Sequence, residues 1–366
     1  MIAVTGMAWI TPLGDTVAAV WEKLLSGQSG LRPVANQGRL RNDLAAAIDS
    51  PNHSLPPHQR LHKITCDALR RLLGESDLPA GDPDTRLVLG TSLGTYLEDS
   101  PDQSLYGWAD AVATEIGLTR RPIAVSTACS SGSDAILLGA EMIRMGQAKR
   151  CICGGADVLT WSKRIGHSTL GTMSPTTLRA FDLRHDGTLL GEGAGFMLLE
   201  SDDSRRKPLA LFRGAGAAND ATAMTAADTT GLSAQYALER SLVDAGLPAS
   251  AIGLINAHGS GTPMNDLTEK NGLGKVFTAK PGPLVFATKG NFGHSLGATG
   301  ALEAIALVTA MRTGRVPSIV GLEQPDPEFT LPLAYPKAVE HAAQFGLSLT
   351  LGFGGFDTSL IFEVPR

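Results

Sequence analysis

Three short segments carry residues able to do nucleophilic and electrostatic chemistry. In Arg121-Pro-Ile-Ala-Val-Ser-Thr-Ala-Cys129-Ser-Ser-Gly-Ser-Asp134 a cysteine stands between a β-branched run and a Ser/Gly-rich helix start. A thiol at such a turn lies beside the unpaired N–H groups of a helix N-terminus, which favour a thiolate. The ordinary alternative is a small buried side chain, since free cysteine is among the most buried residue types. The second segment is Ile255-Asn-Ala-His258-Gly-Ser260-Gly-Thr262-Pro-Met-Asn-Asp266. The third is Ala287-Thr-Lys289-Gly-Asn-Phe-Gly-His294-Ser-Leu-Gly-Ala-Thr-Gly-Ala-Leu-Glu303. Either histidine alone reads as structural or merely exposed. The chain has only eight, and two of them fall in glycine-rich loops after strand-like runs, which points to a shared site.

Other patterns compete for attention and are weaker. Gly90-Thr-Ser92-Leu-Gly94 satisfies the G-x-S-x-G spacing of serine hydrolases, but that reading leaves the cysteine segment unexplained. Gly191-Glu-Gly-Ala-Gly195 looks like half a dinucleotide fingerprint, yet it precedes a strand instead of opening a helix and reads as a tight turn. Cys151-Ile-Cys153 alternates on a strand with no second ligand pair at zinc-site spacing, so core packing is expected and no metal site.

The elements that must position these residues follow an α/β pattern. Strands are expected at 2–5, 86–89, 123–126, 150–153, 195–199, 209–213, 253–256, 284–287 and 349–351. Helices are expected at 16–25, 62–73, 131–145, 233–245, 266–276 and 298–312. The order of elements is similar before and after roughly residue 205, which suggests an internal pseudo-duplication into 1–205 and 206–366. Residues 32–57, including Asn52-His53-Ser54, read as a loop-rich surface insertion. At 366 residues with 42 glycines, 43% hydrophobic and 18% charged, the chain fits a compact α/β protein, not a disordered one. A net charge of −5 gives no general attraction for nucleic acid or anionic membranes. Without a membrane-length apolar run or a leader, a cytoplasmic protein is expected. Its four cysteines are then reduced, which leaves one free to work.

Taken in order, the motifs resemble the β-ketoacyl-(acyl carrier protein) synthases of the thiolase superfamily, in the cysteine-histidine-histidine group of fatty-acid and polyketide ketosynthases. The similarity begins at Val4-Thr-Gly-Met and Thr11-Pro-Leu-Gly14. It runs through Thr127-Ala-Cys129, Gly154-Gly-Ala-Asp157, Phe181-Asp182, Ala257-His258-Gly-Ser-Gly-Thr-Pro263 and Lys289 with Gly293-His294, and closes with Gly352-Phe353-Gly-Gly355. The resemblance implies a thiolase-like fold, two duplicated halves in α-β-α-β-α layers. It makes Cys129 the nucleophile that takes an acyl group from a carrier-protein thioester. It makes His258 and His294 donors to the enolate formed as a malonyl extender loses carbon dioxide. It places the oxyanion between the backbone N–H groups of Cys129 and Phe353, with Phe353 also a gate, and pairs Lys289 with Glu303. Ser260 and Thr262 would hold the phosphopantetheine arm. The chain would need no cofactor of its own, would work with an acyl carrier protein docking at Arg60 and Lys63, and would form a homodimer or a heterodimer with a ketosynthase-like subunit.

The sequence departs from that family pattern in places. It is short around residues 32–60, before the nucleophile strand and between Gly171 and Arg179. It has Phe356-Asp357 after the closing glycines where the family has threonine and asparagine, which leaves open any cation near Glu303. Asp134 after the nucleophile is atypical and would oppose a thiolate. A specialised polyketide, polyene or fatty-acid pathway is expected. A chain-length-factor-like partner without catalysis is the rival reading, disfavoured by the intact cysteine. A degradative thiolase is weaker, since no cysteine follows Cys153.

Overall fold

A computed structural model describes residues 1–35, 38, 40–49, 55–79, 81–98, 104–201 and 206–365. Asn52-His53-Ser54 and the expected boundary at 205 lie outside the described residues. In chain order the strands are β1 (Ile2–Ile10), β2 (Leu31–Pro33), β3 (Leu44–Ala46), β4 (Thr85–Gly90), β5 (Ile123–Val125), β6 (Arg150–Asp157) and β7 (Gly193–Ser201). They continue as β8 (Ala210–Asn219), β9 (Ile252–Asn256), β10 (Leu284–Phe286), β11 (Arg315–Val316), β12 (Val339–Glu340), β13 (Phe345–Gly352) and β14 (Phe356–Glu363). The helices are α1 (Val17–Leu25), α2 (Pro57–Ser76), α3 (Leu105–Glu115), α4 (Ser131–Arg144) and α5 (Trp161–Thr169). Then come α6 (Leu232–Ala245), α7 (Pro263–Val276), α8 (Lys289–Phe292) and α9 (Thr299–Thr313).

Ten strands run in the order β10-β9-β13-β14-β8-β1-β7-β6-β4-β5. This is one five-strand pattern written twice. In each half the first strand pairs antiparallel with the fifth, the fifth antiparallel with the fourth, and the fourth, second and third lie parallel. The halves meet where Ile2–Val4 pairs with Ala210–Phe212. Helices α4 and α9 pack against each other, and each touches strands of both halves, so they form the middle layer. Helix α2 covers β1 and β7 with α3 beside it, and α6 covers β8 and β14 with α7 beside it. The result is the expected α-β-α-β-α stack.

Burial explains the sequence pattern. Strands β1, β6 and β7 are covered on both faces and read as continuous apolar runs without alternation. Helix α9 (TGALEAIALVTAMRT) is apolar on nearly every side because both sheets enclose it. The middle layer closes so tightly that only glycine fits at some crossings. A Cβ on Gly155 would lie 2.3 Å from the Gly297 carbonyl oxygen and 3.1 Å from Gly132 Cα, both backbone atoms.

One expectation needs correction, and some elements were not anticipated. Residues 44–47 are not a surface insertion, because Ala45, Ala46 and Ala47 are buried, and Ala45 and Ala47 pack with Cys129, Leu159, Leu190 and Leu296. Helices α3 and α5 and strand β14 were not anticipated. In α5 the buried face carries Lys163, Arg164 and His167, so its polarity pattern is inverted. Lys163 pairs with Asp157, and Arg164 donates to the carbonyls of Val34, Ala35 and Asp43. Among the described residues no helix is long and apolar enough to cross a membrane. Gly155→Ala is expected to cost about 1–3 kcal/mol through overpacking, read as a lower denaturant midpoint with an unchanged slope.

Candidate active site

The chain enters α4 through a short 3₁₀ turn, Ala128–Ser130, immediately after β5 and Ser126-Thr127. Ala128 sits in the left-handed region at φ 52°, a strained conformation that a non-glycine residue keeps only when its surroundings enforce it. The enforcement is a hydrogen-bond web. Ser131 Oγ donates to the carbonyls of Thr91 and Ala128 and accepts from Thr127 N–H. Asp134 takes hydroxyl donors from Thr127, from Ser130 at 2.7 Å and from Thr358 of β14. The atypical Asp134 therefore pins the nucleophile turn to the opposite half of the molecule.

Cys129 lines a cavity of about 230 Å3 with His294, Ser260, Thr262, His167 and Phe353. His258 lies behind His294, the two rings perpendicular at 87° with centroids 5.2 Å apart. Phe353 directs its backbone N–H to the Cys129 thiol. The following Gly354 and Gly355, at φ 81° and 77°, make the turn that aims it. The Phe353 ring stacks on His167 at 5.5 Å. Cys129, His294, Ser260, Thr262 and Phe353 thus come together around one space, with His258 in direct contact.

Lys289 is the hub behind the histidines. It is buried and donates to Glu303 Oε1 at 2.5 Å, to His258 Nδ1 at 3.2 Å and to the His258 carbonyl. An ammonium has only donors, so Nδ1 must accept and the His258 proton must sit on Nε2. That Nε2 is buried without a hydrogen-bond partner among the described residues. His294 Nδ1 bonds Thr299 Oγ1 at 3.0 Å. Burial first, and then the Lys289 charge, hold both imidazoles well below the usual histidine range. At neutral pH they are uncharged donors.

Burial also pushes the Cys129 thiol up to about 11, opposed by the Phe353 N–H and by Lys289. The expected helix-end thiolate is therefore not the resting form. Burial likewise pushes Glu303 up to about 7 against the pull of Lys289, and its Oε2 has no hydrogen-bond partner among the described residues.

Several supporting residues were missed in the sequence. Glu269 of α7 accepts the backbone N–H groups of His258 at 2.6 Å and Gly259 at 2.7 Å. Asp266, one turn earlier, accepts those of Gly261 and Phe181. Asp157 accepts those of Ser92 and Gly297, joining the nucleophile half to the His294 loop. Two carboxylates three residues apart, just after a glycine-rich loop, were a readable sign of loop anchoring.

Other expected residues lie elsewhere. Arg60 is in a buried ion pair with Glu192, and Lys63 pairs with Asp67 at 3.0 Å. Both line a separate charged cleft of about 1060 Å3 and not the Cys129 cavity. Ser92 is followed by bends and turns, and its N–H is held by Asp157, so it forms no hydrolase elbow.

The twice-written, five-layer fold is that of the thiolase superfamily. The family model "Beta-ketoacyl synthase, N-terminal domain" matches residues 1–204, and "Beta-ketoacyl synthase, C-terminal domain" matches 209–323. The chain is 30% identical to 3-oxoacyl-[acyl-carrier-protein] synthase 2 of Mycobacterium leprae, over 99% of this chain and 96% of that protein. It superposes on the ishigamide ketosynthase/chain length factor structure with a TM-score of 0.91 at 26% identity, covering 100% and 99% of the two chains. A β-ketoacyl synthase from Burkholderia phymatum gives 0.87 at 28% identity, again over 100% and 99%. The chain belongs to the β-ketoacyl synthase family and is an acyltransferase of the ketosynthase kind.

Two outcomes test this geometry. The thiolate fraction of a group titrating near 11 grows about tenfold per pH unit below that value, so alkylation of Cys129 by iodoacetamide is expected to climb with pH and show no plateau below pH 9. Asp134→Asn keeps the side-chain shape but removes the charge from three hydroxyl contacts. It is expected to slow acylation of Cys129 about tenfold in stopped-time mass assays, with the folded content unchanged by circular dichroism.

Proposed function

We propose that this chain catalyses decarboxylative Claisen condensation of a malonyl extender on acyl carrier protein with an acyl group held on Cys129. The observation that carries the proposal is the Lys289 contact on His258 Nδ1, which leaves Nε2–H as an unspent donor beside His294. In the first half-reaction the Cys129 sulfur attacks an acyl thioester, the new C–S bond forms, and the pantetheine thiol departs with the proton. In the second, the malonyl C–COO⁻ bond breaks and its electron pair moves into an enolate. The enolate oxygen takes hydrogen bonds from His258 and His294. The carbanion then attacks the Cys129 thioester, the oxyanion rests on the backbone N–H groups of Cys129 and Phe353, and the Cys129 thiolate is expelled. Neutral preorganised donors suit this task, since they stabilise developing charge without surrendering a proton.

In this reading Ser260 and Thr262 meet the phosphopantetheine arm, which their position on the cavity wall, bonded to each other at 2.9 Å, supports. Phe353 gates the acyl space, and Lys289 with Glu303 sets the local field. No cofactor beyond the carrier-borne substrates enters this scheme, and relatives named for an acyl-carrier-protein synthase support that partner. The ion pairs of Arg60 and Lys63 leave these residues little to offer a docking carrier protein. The reading includes two halves, 1–205 carrying Cys129 and 206–366 carrying both histidines, which the repeated strand order supports. It also includes a dimer, homomeric or with a ketosynthase-like subunit. Edge strand β5 with the exposed Tyr96, Leu97 and Tyr106 offers a surface for it. The similarity to a ketosynthase/chain length factor structure keeps a non-catalytic role in view, and the complete cysteine and histidine set speaks against that role.

Intact-mass spectrometry with acyl- and malonyl-carrier protein separates the steps. An acyl adduct is expected on the native chain and absent from Cys129→Ala. His258→Ala is expected to keep the adduct but lose malonyl decarboxylation by about 10²–10³-fold. An adduct that persists in Cys129→Ala refutes the nucleophile assignment. Absence of condensation by the chain alone, restored only by mixing with a catalytic relative, identifies a partner subunit instead.

A further inference from the structure

Helix α2 carries His62 and Cys66 four residues apart, a spacing that stacks two side chains on one face. Helix α3 brings Glu115, its last residue, against them. His62 Nε2 lies 2.5 Å from Glu115 Oε2 and 3.5 Å from Cys66 Sγ. The Cys66 thiol also hydrogen-bonds Glu115, and the three ligand atoms all lie within 4.8 Å of one another. None of the three lines the Cys129 cavity.

A thiol–imidazole–carboxylate relay would use both ring nitrogens, one toward sulfur and one toward oxygen. Here both partners converge on Nε2. The three ligand atoms converge on one point, and one cation placed among them meets all three. The surroundings suit that arrangement. Arg70 holds Glu115 Oε1 at 2.5 Å, leaving Oε2 turned to His62, as outer-shell partners of ligating carboxylates do. A thiolate and a carboxylate neutralise a dication. Sulfur and imidazole nitrogen with one oxygen favour borderline ions such as zinc or cobalt over calcium or magnesium, which take oxygen sets. His62 also lines a cavity of about 420 Å3 with His58, Tyr96 and Trp108, which gives an ion and a fourth, water ligand a way in.

We propose that His62, Cys66 and Glu115 form a binding site for a divalent transition-metal ion of the zinc class, joining α2 to α3 at the outer layer of the N-terminal half. On binding, the Cys66 S–H bond breaks, the sulfur–metal bond forms and the proton goes to solvent. Because the thiol binds as thiolate, one proton leaves per ion and affinity rises with pH.

The test is titration of the purified full chain with cobalt(II) alone, in a Cys129→Ala background that removes the thiol of the proposed active site. Expected are one cobalt per chain, a sulfur-to-cobalt band in the near ultraviolet, four-coordinate visible bands, and displacement by zinc. Cys66→Ser should abolish the near-ultraviolet band. His62→Ala, whose side chain is partly exposed and whose loss the fold tolerates better, should weaken binding about 10–100-fold. No band in the Cys129→Ala chain, a band that survives Cys66→Ser, or less than a threefold weakening in His62→Ala overturns the proposal.

Discussion

One buried ammonium organises the reaction centre. Lys289 is sealed from solvent, so its charge must be met by partners, and two segments supply them: Glu303 from α9, and the ring and carbonyl of His258 from the loop after β9. Removing one member of such a pair costs about 3–5 kcal/mol, because the other is left buried with an unmatched charge. The same contacts settle the proton on His258. The lysine thus turns a requirement of burial into a chemical instruction, keeping both imidazoles uncharged and leaving the His258 proton on Nε2.

Glycine-rich loops can approach substrate closely but cannot hold themselves in place, and this fold solves the difficulty with carboxylates set behind them. Glu269 and Asp266 grip the His258 loop, Asp157 ties the His294 loop to the turn after β4, and Asp134 fastens the nucleophile turn to β14. In each case an oxygen pair accepts backbone or hydroxyl donors that would otherwise be buried unpaired. Thr358 of β14, next to Asp357, donates to Asp134 and so joins the closing strand to the turn that carries Cys129. Strand β3 and Ala47 are likewise near the site, as Ala45 and Ala47 belong to the small apolar cluster around Cys129.

The sequence disclosed the reacting atoms better than their supports. Cys129, His258 and His294 stood out because each sits between a strand signal and a glycine-rich turn, the order of elements suggested the duplication, and the family resemblance implied the five layers. Helix α5 stayed hidden because its inward face is charged, so hydrophobic periodicity pointed the wrong way. Residues 44–47 stayed hidden because three small alanines bury fully without looking like a strand. The upward shift of the Cys129 thiol was not legible either: local helix geometry favours a thiolate, but its burial comes from distant residues, Ala45, Ala47, Leu159, Leu190 and Leu296. The His62, Cys66 and Glu115 cluster was likewise illegible, since its third member arrives from a helix 49 positions beyond Cys66.

The central claim is a statement about protons, and nitrogen-15 NMR of histidine-labelled protein at pH 7 reads it directly. His258 should show a protonated Nε2 and a bare, hydrogen-bonded Nδ1, with His294 also uncharged. An imidazolium signal at either residue, or a proton on His258 Nδ1, would contradict the account at its root.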